Sequence, residues 1–282
     1  MARAIDVEHL GRSRVICAFE THAGIVDPGP TSSVQTLLEG LEDEQPRALL
    51  LTHIHLDHAG AAGVLCRRFP SLKVYVHERG ARHLADPSRL LASAQRLYGD
   101  DMDRLWGEFA PVPEERIVAL AGGETIEGGL RVAYTPGHAS HHVSYFDEVT
   151  GEAYVGDVCG VRIPPHEYVI PPTPPPDIDV ELWMQSLGQV ATWGPRALCL
   201  THFGRFEDVD EHLERMREGL ALRSEKARSL DVEAFDGWSE AEVRAAVDAE
   251  TAESLLQAAV PDQMGAGLRR YWDKRAEREA VS

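Results

Sequence analysis

Four of the six side chains in His53-Ile54-His55-Leu56-Asp57-His58 can ligate a cation, and they follow a run, 47–52, whose continuous apolar character reads as a buried strand. A chain carrying this string must bring a strand end, a turn and a helix start to one place. His53 and His55 are two residues apart at the strand end, so they share a side and can chelate one cation through imidazole nitrogens. Asp57 and His58 come after the turn and can face a second cation. The helix expected over 59–69 opens on Ala59, Gly60, Ala61 and Ala62, whose small side chains let the backbone approach closely.

The surrounding pattern is α/β. Strands are expected over 14–20, 24–27 and 72–77, with a helix over 31–41 and helical character through 80–110, broken at Pro87 and Gly99. Short runs at 116–120, 124–126, 130–135, 142–147 and 153–155, separated by pairs such as Gly122-Gly123 and Gly128-Gly129, read as a meander. Seven prolines fall between Pro164 and Pro176, a density that forbids helix and predicts a stiff, extended surface loop. A helix over 179–193, a strand over 197–201 and amphipathic helices from about 209 complete the chain. This divides it into a catalytic domain, 1–207, and a helical extension, 208–282.

Three further ligand-capable residues each end a predicted strand: His138 in Thr135-Pro136-Gly137-His138, Asp157 in Gly156-Asp157, and His202 in Thr201-His202. Coincidence is a poor account of four such placements. Together with Asp27-Pro28-Gly29, and in this order, these segments resemble the metallo-β-lactamase superfamily over about residues 12–205. The resemblance implies a four-layer αββα sandwich, here with extra C-terminal helices, and a site at one edge of its two sheets. It puts His53, His55 and His138 on one metal, Asp57, His58 and His202 on another, and Asp157 between them. Nitrogen and oxygen donors of this kind suit zinc, the expected metal, and also iron or manganese. Asp27 is either the carboxylate that holds a ligand histidine in its tautomer or a turn residue before Pro28-Gly29. His142 is expected to pack beside the ligands, and His141 to be solvated.

A pair of divalent metal ions implies hydrolysis by metal-activated hydroxide, with Asp57 orienting the nucleophile and relaying its proton. An aspartate bridge directs the resemblance away from class B β-lactamases and toward glyoxalase II and lactonase relatives, hence toward a small ester, thioester or lactone. A mononuclear iron persulfide dioxygenase and a phosphodiesterase are the alternatives. Arg162, His166 and Tyr168, in the segment after Asp157, are candidate substrate contacts.

A formal charge of −18 repels phosphate backbones and anionic lipid, so the partner expected is a small molecule, not nucleic acid or membrane. The aromatic and basic stretch 268–275 reads as a solvated or homodimer-contacting helix face. Four scattered cysteines suggest neither disulfides nor a thiolate site, and no signal-like apolar run opens the chain, so a cytoplasmic location is expected.

Overall fold

The computed structural model describes residues 1–42 and 45–281. The first sheet holds β1 (Arg3–Asp6), β2 (Cys17–Thr21), β3 (Gly24–Val26), β4 (Ala48–Leu50), β5 (Lys73–His77) and β6 (Ile117–Leu120), in that spatial order. Its first three strands are antiparallel; β3 to β6 are parallel. Each parallel step needs a helical crossover. These are α1 (Val34–Gly40), then α2 (Leu56–Ala59) with α3 (Ala62–Arg68), then α4 (Glu78–Ala85), α5 (Ser88–Tyr98) and α6 (Met102–Trp106). The second sheet runs, from one edge, β11 (Gly204–Phe206), β10 (Ala197–Leu200), β9 (Glu152–Tyr154), β8 (Val143–Asp147) and β7 (Leu130–Tyr134).

Phe19, Leu50, Tyr75, Leu130, Val143, Tyr145 and Tyr154 fill the space between the sheets. Leu49, Leu51, Val74 and Val76 pack outward with Leu37, Ala62 and Leu65 of the first helix layer. On the other side, Val155, Leu198 and Leu200 meet Trp183 and Leu187 of α7 (Val180–Ala191) and the C-terminal helices. Those helices are α8 (Val209–Ser229), α9 (Val232–Ala246), α10 (Ala249–Ala258) and α11 (Pro261–Val281). The result is the αββα sandwich with added C-terminal helices.

Three expectations differ from the structure. The run 116–155 is not one meander: β6 pairs in parallel with β5 at the edge of the first sheet, and only β7, β8 and β9 form antiparallel neighbours. Thr125 makes a single bridge to Arg131, and the Gly-rich turns carry the chain from one sheet to the other. The proline segment is a surface loop only at its ends: Pro164, Pro165, Glu167 and Pro176 are exposed, but Val169, Ile170, Pro171, Pro172 and Thr173 are buried. Prolines lack an N–H and so bring few donors that burial would strand. The Thr173 N–H donates to Met264 Sδ at 2.8 Å, and its hydroxyl donates to the Met264 carbonyl at 3.0 Å. A Cβ at Gly267 would lie 2.0 Å from the Thr173 carbonyl oxygen, so glycine there lets α11 close over the segment. The stretch 268–275 is largely engaged within the chain. Leu268 is in the core, Trp272 Nε1 donates to the Ser224 carbonyl, and Tyr271 and Arg275 both meet Glu181.

Candidate metal centre

Strand β4 leads into Leu51-Thr52-His53-Ile54-His55, and α2 begins at once with Leu56-Asp57-His58. The sheets are tied together at this edge, with Cys17 N–H donating to the Thr201 carbonyl (2.7 Å) and Val143 N–H to the Thr52 carbonyl (2.8 Å). Strand ends from both sheets therefore point their side chains at one spot. His53, His55, His138 and Asp157 bring one donor atom each to within 4.8 Å of one another, and so do Asp57, His58 and His202.

Asp157 faces both groups. Its Oδ2 is 3.3 Å from His138 Nε2, while its Oδ1 is 3.3 Å from His58 Nε2 and 3.5 Å from His202 Nε2. Asp57 Oδ2 lies 3.3 Å from His202 Nε2 and 3.7 Å from His58 Nε2. In the other group, His55 Nδ1 is 2.9 Å from His53 Nε2 and 3.0 Å from His138 Nε2.

The outward ring nitrogens determine what the inward ones can be. His138 Nδ1 donates to the Pro172 carbonyl (2.9 Å), His202 Nδ1 to the Val15 carbonyl (2.6 Å) and His58 Nδ1 to the Asp27 carboxylate (2.8 Å). Thr52 Oγ1 donates to Asp27 Oδ2 (2.7 Å), so it accepts from His53 Nδ1 at 3.1 Å. In the neutral rings all four Nε2 atoms are then bare lone pairs, and they converge. His58 Nε2, His202 Nε2 and Asp157 Oδ1 are buried without a hydrogen-bond partner. Converging buried acceptors repel one another unless a cation lies among them, so the residues present fit metal ions.

Charge follows the same division. Burial and the neighbouring imidazoles hold His53 well below the ordinary histidine range and bring His55 down to about 4. Burial alone would raise Asp57 and Asp157, but His58 foremost, with His202, outweighs it and holds both carboxyls low. On His58 and His202 burial disfavours charge, and Asp157 and Asp57 overcome it and raise both. An entering cation displaces those protons. The four cysteines are buried away from the cluster, with burial pushing Cys66 up to about 11 and Cys17 to about 12.

Asp27 is no simple turn residue. It is fully buried at a φ of 45° and accepts from Thr52 N–H, the Thr52 and Thr201 hydroxyls and His58 Nδ1. It thereby fixes His58 directly and the residues beside His53 and His202. Replacing it, Asp27→Ala, strands several buried donors, and we expect a stability loss on the order of 3 kcal/mol or more in urea unfolding. Metal affinity should fall about 10- to 100-fold in a chelator competition, while Asp27→Asn retains part of both.

His142 is buried, its Nδ1 2.9 Å from Thr135 Oγ1, and it lies outside both donor groups. A Cβ on Gly156 would meet Thr52 Oγ1 at 2.4 Å and His142 Nε2 at 2.9 Å, so glycine at φ 46° is what allows Asp157 its position. His141 is half-buried rather than solvated. It lies parallel to His53 at 6.2 Å and faces the cavity above the cluster, because the 136–141 loop folds beneath α4. Arg162, His166 and Tyr168 go elsewhere. Arg162 is buried in a two-oxygen pair with Asp208, His166 Nε2 meets Asp248 at 2.7 Å, and the Tyr168 hydroxyl sits between Arg223 and Glu242. None of them lines the cavity, and all three hold the segment after Asp157 to the C-terminal helices. Nearness in sequence to Asp157 did not carry the side chains of these expected substrate contacts to its open side.

The cavity, about 1100 Å³, has His55, Asp57 and Asp157 in its wall. Leu90, Ala94, Tyr98 and Trp106 come from α5 and α6, and Gln257, Gln263 and Met264 from the α10–α11 junction. Tyr98 OH reaches Gln263 Oε1 at 3.4 Å across it. His9, unnoticed in the sequence, stacks on Trp106 at 5.4 Å and bonds through Nε2 to the Leu105 carbonyl (2.8 Å). No local pattern marks it, since its partners are about a hundred residues away.

Residues 15–202 match the family model described as the metallo-β-lactamase superfamily. The chain is 27% identical over 225 residues to a metallo-β-lactamase fold-containing protein of Sulfurisphaera tokodaii, covering 76% of this chain and 82% of that one. The crystal structure of that archaeal protein superposes with a TM-score of 0.72 at 23% identity, over 96% of this chain and 98% of its own. A hydroxyacylglutathione hydrolase of an Enterobacter species is 30% identical over 141 residues, 48% of this chain and 44% of that enzyme. A protein solved in a di-iron-bound form has the same fold, with a TM-score of 0.53 at 24% identity over 71% of this chain and 91% of its own.

Proposed function

Because this chain belongs to the metallo-β-lactamase superfamily, we propose that it is a hydrolase that holds two divalent metal ions and cleaves a small ester, thioester or lactone. The observation that carries this reading is the Asp157 carboxylate, with one oxygen toward each donor group. His53, His55, His138 and one oxygen of Asp157 would hold the first ion; Asp57, His58, His202 and the other oxygen would hold the second. Ions so held supply an activated water of near-neutral pKa and a Lewis acid for the substrate carbonyl. Zinc is the metal we propose. Iron and manganese suit the same donors, and one fold neighbour is a di-iron form.

The chain's own residues supply the rest. Asp57 combines a place among the ligands with 22% side-chain exposure into the cavity. Its carboxylate accepts a hydrogen bond from the attacking water and passes the proton to the leaving group. The water oxygen joins the acyl carbon, the C–S or C–O bond breaks, and the thiol or alcohol leaves with that proton. The cavity fits a small molecule, and the partial match to hydroxyacylglutathione hydrolases supports a thioester within the class.

The test is metal content beside a substrate screen. About two equivalents of zinc or another divalent metal, with turnover of thioesters, lactones or aryl esters that falls on Asp57→Ala, is the expected result. A single iron with oxygen uptake on a thiol persulfide, or turnover of phosphodiesters alone, would overturn it.

A further inference from the structure

One wall of the cavity carries arginines that are held in no ion pair among the described residues. Arg79, Arg82 and Arg89 of α4 and α5 line it, in a chain whose net charge is −18. Elsewhere arginines such as Arg67, Arg131, Arg215 and Arg244 sit against Asp or Glu. Among the described residues these three form no ion pair. Two are positioned by neutral partners instead. Arg82 Nε donates to His83 Nε2 at 3.2 Å, and the Arg79 guanidinium lies over the Tyr134 ring at 5.6 Å. Burial, Arg82 and Arg89 lower His83, so it stays an uncharged acceptor and leaves the outer nitrogens of Arg82 free. Of the acids nearby, Asp177 is taken by Ser140, Asp101 by Arg104 and Asp86 by Ser88, Asp57 and Asp157 belong to the donor groups, and Glu78 and Asp262 share the cavity without an ion pair to any of the three arginines.

The adjoining wall is apolar, built from Leu90, Ala94, Tyr98 and Trp106, and His55, Asp57 and Asp157 of the donor groups line the same cavity. We propose that this cavity selects an amphipathic anion: an ester or thioester whose carboxylate or phosphate is held by Arg79, Arg82 and Arg89 while its apolar part lies against α5 and α6. This rests on the hydrolase reading for the words ester and thioester; the anion site stands on the two walls alone. The three arginines are exposed at the cavity wall, and a fork of guanidinium donors there binds such oxygens through charge-assisted bonds. The attraction weakens as salt rises.

Calorimetric titration with octanoate, octyl phosphate and octanol, none of which can be hydrolysed, tests the site without turnover. The wild-type protein should bind the two anions, with octanol on the order of 10-fold weaker or more. The Arg82→Gln/Arg89→Gln variant should lose that preference and keep octanol binding, which also shows it is folded. The stronger of the two anions tells whether carboxylate or phosphate is the natural group. In turnover, the same variant should raise KM on the order of 10-fold for a charged thioester, with kcat and the KM of its neutral counterpart unchanged. Equal binding of octanol and the anions, or anion affinity untouched by the double substitution, overturns the proposal. Arginine-dependent anion binding with no hydrolysis of any ester or thioester would instead defeat the hydrolase reading and leave the anion site standing.

Discussion

Asp157→Ala is expected to abolish hydrolysis, with kcat down by ~10³-fold or more, and to lower metal occupancy in both donor groups together. The geometry makes the two losses inseparable. Asp157 Oδ1 lies against His58 and His202 and Oδ2 against His138, so one truncation removes an oxygen from each half and would leave five histidines with only Asp57 to balance the two proposed dications. His55→Ala, by contrast, removes a donor from one group alone and should leave the other able to take up metal. Metal analysis after gel filtration, kcat on the best substrate and circular dichroism check this. A folded Asp157→Ala protein that keeps two ions and the wild-type rate would sink the bridging role.

The second large effect is on stability. Trp183→Ala should cost about 3–5 kcal/mol, the range for truncating a large buried aromatic. Against a total of about 5–15 kcal/mol, that is a large fraction. Trp183 is wholly buried in the core between α7 and the second sheet, and its Nε1 donates to the Val158 carbonyl at 2.7 Å. Its ring edge also meets His138 at 5.5 Å, and its backbone would lie 2.4 Å from a Cβ on Gly137. The cavity left behind therefore undermines His138 of the first donor group as well as the core, and metal affinity should fall with stability. Trp183→Phe loses the hydrogen bond but keeps most of the volume, and should lose less of both. Urea unfolding with and without metal measures the difference. A loss below about 1 kcal/mol in the alanine variant would contradict this account of the core.

The residues that the fold gathers into the two donor groups were legible because they share a local signal. Each falls just past a run with strand character, and a strand end at a sheet edge is a place where side chains can converge. The layers of the fold were legible for a related reason, since apolar runs such as Leu49-Leu50-Leu51 and Val74-Tyr75-Val76 have the continuous character of strands covered on both faces. Pairing was less so. Ile117–Leu120 has the same short apolar pattern as the meander strands, and only its parallel register with Lys73–His77 places it in the other sheet. Periodicity states that a residue is in a strand, but not which neighbour that strand chooses.

The string from His53 to His58 by itself determined that two donor sets meet at a strand end, because spacing of two and a following turn are properties of the backbone alone. Only the tertiary structure decided what surrounds them. Asp27 gathers donors from Thr52, His58 and Thr201, residues up to 174 positions away in sequence. His141 turns inward, and Arg162 and Tyr168 turn away toward Asp208, Arg223 and Glu242. Those choices rest on which long-range partner satisfies a buried charge or hydroxyl, and no local pattern encodes that. The arginines of α4 and α5 came to line the same cavity as His55, Asp57 and Asp157 for the same reason: packing of the crossover helices, not their sequence, set which side of them is the cavity.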